Sequence, residues 1–118
     1  MMEWKIEDFL TREEILAQVA EEAAELAQAA LKLRRALEGV NPAAVGIQQA
    51  VKNLNEEIAD VRLCLDQLRC VHEEDIQKIY RDKEVRWLSR LIAARREEDE
   101  RLEALRKQGY SNNDFEED

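Results

Sequence analysis

Apolar residues recur along three stretches of the chain at the spacing of one helix face. The first stripe is Ile15, Val19, Leu26, Ala30, Leu33 and Leu37. The second is Ile47, Val51, Leu54, Ile58, Val61, Leu65 and Leu68, and the third Ile76, Tyr80, Trp87, Leu91 and Ala94. Thr11-Arg12-Glu13-Glu14 reads as a capping box, so the first helix starts there. Gly39-Val40-Asn41-Pro42 breaks the pattern. Gly39 suits a C-terminal cap, and Asn41-Pro42 suits the N-cap and first turn of the next helix. His72-Glu73-Glu74-Asp75 marks a second turn and places acids at a third N-terminus, where the helix dipole favours them. The third helix is expected to run to about Lys107 and to stop at Gly109. Residues 110–118 hold four acids and no apolar period, which predicts a disordered acidic tail behind a helical domain of residues 1–109. The predicted fold class is all-α: three long helices whose short connections make them antiparallel neighbours.

Composition sharpens this picture. Of the 118 residues 45% are apolar but only 5% aromatic, so the interior must be built from Ala, Leu, Ile and Val. Three glycines and one proline are too few for the turns of a β protein. Three such helices leave a thin core. Further copies are therefore expected to complete four-helix-bundle-type packing, as a homodimer or homotetramer. Cys64 and Cys70 are placed on one helix, where the rise alone separates them by roughly 9 Å, too far for a disulfide. Their spacing is not that of a CxxC site, and both are expected to be reduced, packed side chains. No apolar run is long enough to cross a membrane, and MMEWKIEDFL lacks the apolar core of a signal peptide, so a cytoplasmic location is expected. With 27 acidic residues against 18 Lys and Arg, the net charge is -9. Nucleic acid and anionic membrane are poor partners for such a chain; a cation, or a ligand that carries cations, suits it better.

Acids are so common here that only those on an apolar face carry information. At about 100° per residue, Glu22 falls inside the first stripe and Glu25 at its edge, while Glu14 and Glu21 point away. Glu57 falls on the apolar side of the second helix and Asp60 at its border. In an antiparallel hairpin centred near Asn41, residues whose numbers sum to 82 lie level. Glu22 then faces Asp60, and Glu25 faces Glu57. Four converging carboxylates repel one another unless a divalent cation joins them, and oxygen-only ligation suits Mg²⁺ or Mn²⁺ rather than zinc. On the third helix Lys83, Arg86 and Arg90 accompany the Tyr80/Trp87 stripe. Cations beside a carboxylate–metal cluster fit a phosphate-bearing ligand. The same charges also admit a plain reading, core-edge salt bridges without a ligand in a non-catalytic acidic interaction protein. Trp87 or Tyr80 can stack on a base, though an aromatic at this spacing is more often core. His72, the only histidine, is expected to be a solvated turn residue. The Glu-x-x-His pairs of ferritin-like di-iron sites cannot be assembled, and no P-loop or Ser-His-Asp set appears.

Glu-Glu-Ala-Ala-Glu-Leu at 21–26, followed by Glu-Glu-Ile-Ala-Asp-Val at 56–61, resembles the ExxE…ExxD signature of the MazG-like, all-α nucleoside triphosphate pyrophosphohydrolases. The resemblance covers about residues 12–95. It implies a helical dimer or tetramer that holds Mg²⁺ through Glu22, Glu25, Glu57 and Asp60. It also implies hydrolysis of a nucleoside or deoxynucleoside triphosphate to the monophosphate and pyrophosphate. The basic segment of the family is matched by Lys83-x-x-Arg86-Trp87-Leu88-x-Arg90. On this reading Lys83, Arg86 and Arg90 neutralise phosphate charge, Trp87 contacts the nucleotide, and Glu22 or Glu25 is the general base toward water.

Overall fold

The computed structural model describes residues 3–39 and 46–109, which form three long helices and no strand. A 3₁₀ turn at Ile6–Asp8 precedes α1 (Arg12–Glu38), α2 (Ile47–Asp66) and α3 (Glu73–Lys107). None of these helices is long and apolar enough to cross a membrane. The chain divides into two compact units, Met1–Val71 and His72–Asp118.

The caps follow the local chemistry. The Thr11 hydroxyl accepts from the Glu14 amide at 3.1 Å, and the Glu14 carboxylate accepts from the Thr11 amide at 3.0 Å. Two orphan amides of the first turn are thus satisfied. Gly39 closes α1 in the left-handed region, at φ 69°, where a side chain would be strained. The second helix starts later than Asn41-Pro42 predicts: Gly46 is its N-cap and Ile47 its first residue. A glycine inside the first turn costs about 1 kcal/mol relative to alanine, so the helix begins after it. Residues 40–45, with Asn41-Pro42, and the acidic tail 110–118 lie outside the described residues.

α1 and α2 form an antiparallel hairpin: Ile15 and Gln67 line one cavity, Glu25 and Glu57 another. The positions withdrawn from solvent on α1 include Ile15, Val19, Glu22, Leu26, Ala29, Leu33 and Ala36. On α2 they include Ala50, Leu54, Glu57, Val61, Cys64 and Leu68. Both rows advance by alternating steps of four and three, the 3.5-residue period of a coiled-coil seam. This corrects the predicted stripes. Ala30 and Leu37 on α1, and Val51 and Leu65 on α2, sit one residue off the seam and are exposed. A straight 3.6 period drifts about 20° per heptad from the contact line, which accounts for the error. Among the described residues only Ile15, Ala29 and Ala50 are fully withdrawn, and Ala50 keeps 1% of its surface.

The end of this hairpin is held by an element that the apolar pattern did not reveal. In the 3₁₀ turn the Lys5 amide donates to Asp8 Oδ2 at 2.9 Å, and Glu7 Oε2 accepts from Arg69 Nε at 3.0 Å. Leu10 and Leu68 line a common cavity of about 190 Å³ behind that pair. Residues 68–69 therefore turn toward the N-terminal segment, and α2 ends at Asp66. This removes Cys70 from the helix: it lies in the connection and is exposed, against the expectation of a packed thiol. Both cysteines are free, as expected.

α3 departs furthest from expectation. None of its residues is buried, and its predicted inner face is open, with Tyr80 67%, Trp87 64% and Leu91 54% exposed. The helix has local support that does not require packing. Arg95 pairs with Asp99, Glu98 with Arg101, and Glu103 with Arg106, at the i,i+4 and i,i+3 spacings that stabilise exposed helices. Acids fill its first turn and bases its last, matching the helix dipole.

Candidate metal centre

Seam geometry explains why the acids meet. Glu22 and Glu57 occupy seam positions of their helices, normally apolar, so each carboxylate is carried into the hairpin. Glu25 and Asp60 follow each of them by three residues, less than one turn on, and stand at the exposed edge. One carboxylate oxygen from each of Glu22, Glu25, Glu57 and Asp60 can be chosen so that all four lie within 4.8 Å of one another. The four acids named from the hairpin register are thus brought together in one cluster.

The cluster is poor in compensating donors. Gln18 Nε2 donates to Glu22 Oε1 at 2.8 Å. Glu22 Oε2 and Glu57 Oε2 are both buried and have no hydrogen-bond partner. Among the described residues none of the four acids has an ion pair within the hairpin unit. Buried carboxylate oxygens without partners are costly. The repulsion registers on Glu25: the neighbouring Glu22 charge foremost, then a shared proton with Glu22, partial desolvation and Glu57, raise its carboxyl above the ordinary glutamate value. Burial, then Glu22 and Asp60, likewise raise the Cys64 thiol, so this cysteine stays protonated beside the cluster.

Comparison with protein families, with curated proteins and with solved structures gives no match.

The donor set itself fits a hard cation. It is all oxygen, it brings four formal negative charges, and two of its buried atoms lack any other partner. Oxygens bound to one octahedral Mg²⁺ at about 2.1 Å stand roughly 3–4.2 Å apart, so the four side chains would draw together on binding an ion.

The basic residues named from the sequence lie on α3. Lys83, Arg86, Trp87 and Arg90 are exposed there, and α3's own ion pairs fall further along, between residues 95 and 106. The cations are thus not consumed by their own helix. The hairpin also holds residues that sequence reasoning missed. A groove of about 360 Å³ opens directly beside Glu25 and Glu57, with Gln28 and Lys32 on α1 and Asn53 on α2. A signal for them existed. Lys32 and Ala50, or Ala29 and Asn53, obey the same level rule as the acids, and Lys32 lies one heptad beyond Glu25.

Proposed function

We propose that the chain is a divalent-metal-dependent nucleoside triphosphate pyrophosphohydrolase of the MazG-like kind, releasing a nucleoside monophosphate and pyrophosphate. The observation that carries this reading is the convergence of Glu22, Glu25, Glu57 and Asp60, with two buried oxygens left without partners. A seam that otherwise packs Leu, Val and Ala has no structural use for two buried carboxylate oxygens without partners, whereas a cation site does.

Glu22, Glu25, Glu57 and Asp60 would hold Mg²⁺, or Mn²⁺ in its place. The ion supplies neutralisation of triphosphate charge and polarisation of phosphoryl oxygens. The protein's own share divides by exposure. Glu22 and Glu57, half-buried in the seam, are fixed by packing, and Gln18 orients Glu22. Glu25 stands at the open edge, where water reaches it, and of the two proposed bases, Glu22 and Glu25, it is better placed to take a proton from an attacking water. Lys83, Arg86 and Arg90 offer unspent cations for phosphate, and Trp87 an open face for a base.

Reaction in ¹⁸O-labelled water tests the cleavage point. Label is expected in the nucleoside monophosphate, from attack at the α-phosphorus. A nucleoside diphosphate with free phosphate as first products would overturn the assignment even for an active, Mg²⁺-dependent protein.

The proposed assembly is a homodimer or homotetramer. It is supported by the open Tyr80/Trp87/Leu91 face of α3 and by a core of three fully buried apolar residues among those described. Light scattering at micromolar concentration should return a multiple of 13.8 kDa; the mass of a single chain would contradict it.

A further inference from the structure

We propose that Gln18 is a positioning residue for the carboxylate centre: by holding one oxygen of Glu22 it makes that residue a one-oxygen ligand and biases the centre toward Mg²⁺ and against Ca²⁺. The inference rests on the metal reading above and goes beyond it by naming what sets the choice of ion.

The direction of the hydrogen bond is fixed by chemistry. An ionised carboxylate only accepts, so Gln18 turns its NH₂ toward Glu22, and Nε2 donates to Oε1 at 2.8 Å. The two residues are one turn apart on α1 and both are half-buried. The other oxygen, Glu22 Oε2, is buried and has no partner. The two oxygens of one carboxylate therefore differ. The protein holds one, and the second is left to a cation.

The surroundings of Gln18 favour this pose. Its side chain lines a cavity of about 170 Å³ together with Ile6, Leu10, Ile15, Leu63 and Cys64. The other amide on that wall, Gln67, donates to the Leu63 carbonyl at 3.1 Å. An amide turned into this apolar space would lose a charge-assisted hydrogen bond and gain no equal partner.

The consequence follows from ligand number. Ca²⁺ takes about six to eight oxygens at roughly 2.3–2.6 Å and accepts a carboxylate through both of its oxygens. Mg²⁺ demands a near-ideal octahedron at roughly 2.1 Å and keeps several waters, so the narrow bite of a two-oxygen carboxylate suits it poorly. Four unconstrained carboxylates can offer up to about eight oxygens, which is enough for Ca²⁺. Holding Glu22 Oε1 aside takes one oxygen from that set and fixes the direction of the other. Mg²⁺ gains from the fixed oxygen, whereas Ca²⁺ loses a ligand.

An amide–carboxylate pair at this spacing also occurs where it serves the helix alone. Gln77 donates to Glu73 on α3 at 3.3 Å, and both residues are exposed and outside the four acids. That pair is the control.

The test is calorimetric titration of the metal-free, full-length protein with Mg²⁺ and, separately, with Ca²⁺. Gln18→Met keeps an unbranched side chain of similar length, suits the apolar cavity and removes the donor. It should weaken Mg²⁺ binding about tenfold or more, as loss of a partner to a metal ligand does, and lower the ratio of the Ca²⁺ Kd to the Mg²⁺ Kd by about threefold or more. Gln18→Ala, the best helix former, should do the same if methionine disturbs the cavity. Gln77→Met should leave both affinities unchanged. Equal weakening for the two ions, or an unchanged Mg²⁺ affinity, overturns the role of Gln18, while Mg²⁺ binding by the unsubstituted protein leaves the metal reading standing. Lost helicity by circular dichroism in both Gln18 variants would make the residue structural and overturn the role equally. An unsubstituted protein that binds neither ion overturns the metal reading, and the role of Gln18 with it.

Discussion

Glu57→Gln should abolish triphosphate hydrolysis and leave the helices intact. The substitution keeps the side chain's size at a half-buried seam position and removes one negative charge from the cluster. Residues that merely orient metal ligands cost roughly 10–100-fold in affinity or activity when changed, so a ligand should exceed about a hundredfold. The structural consequence runs the other way. Glu57 Oε2 is buried without a partner, and it helps to raise the Glu25 carboxyl by repulsion. An amide adds no charge to that environment and can donate to the carboxylates around it. Circular dichroism should therefore show unchanged helicity beside a collapsed turnover. Wild-type turnover would remove Glu57 from the metal set. Lost helicity would mean that the carboxylate is structural, as in a non-catalytic acidic interaction protein.

The hairpin was legible in the sequence because its parts are local. A capping box at Thr11, a glycine at position 39 and two amphipathic runs suffice to place α1 and α2, and an antiparallel pair then brings equal-sum residues level. The four acids could be named in advance for that reason. Finer assignments failed where a partner, not the local chain, decides. A 3.6-residue wheel cannot see that two helices wind about a 3.5-residue seam, so Leu37 and Leu65 were placed inside and Ala29 was missed. The end of α2 is set by Arg69 reaching Glu7, 62 positions away, and no turn residue at 67–69 announces it. The groove is lined by the small Ala29 of one helix and Ala50 of the other, a fact about two helices together. α3 shows the opposite limit. Its period is clear, yet periodicity says only that a face is apolar, not what covers it.

Magnesium should stabilise this protein, and the size of the effect should depend on pH in a direction fixed by Glu25. In the metal-free hairpin the Glu25 carboxyl binds its proton more tightly than in the unfolded chain, chiefly because of the Glu22 charge. A carboxyl raised on folding favours the folded state when protonated. Its contribution is therefore complete below the ordinary glutamate value and is lost as pH rises through the raised value. The metal-free protein should gain stability from this group as pH falls from neutrality toward the glutamate range. Glu25→Gln, uncharged at every pH, should melt higher than the unsubstituted metal-free protein at neutral pH and lose that gain on acidification. The cation acts on the same repulsion from the other side. A ligand bound only by the folded state, at roughly a hundredfold over its Kd, contributes about 2.7 kcal/mol. In thermal melts at neutral pH the unsubstituted protein should rise with Mg²⁺ and Glu25→Gln should respond far less. At acidic pH protons compete for the same oxygens, and the response of the unsubstituted protein should shrink. A melting temperature indifferent to Mg²⁺ at neutral pH would contradict the metal reading. A Glu25→Gln variant that melts lower without metal would mean that the four carboxylates do not strain the hairpin.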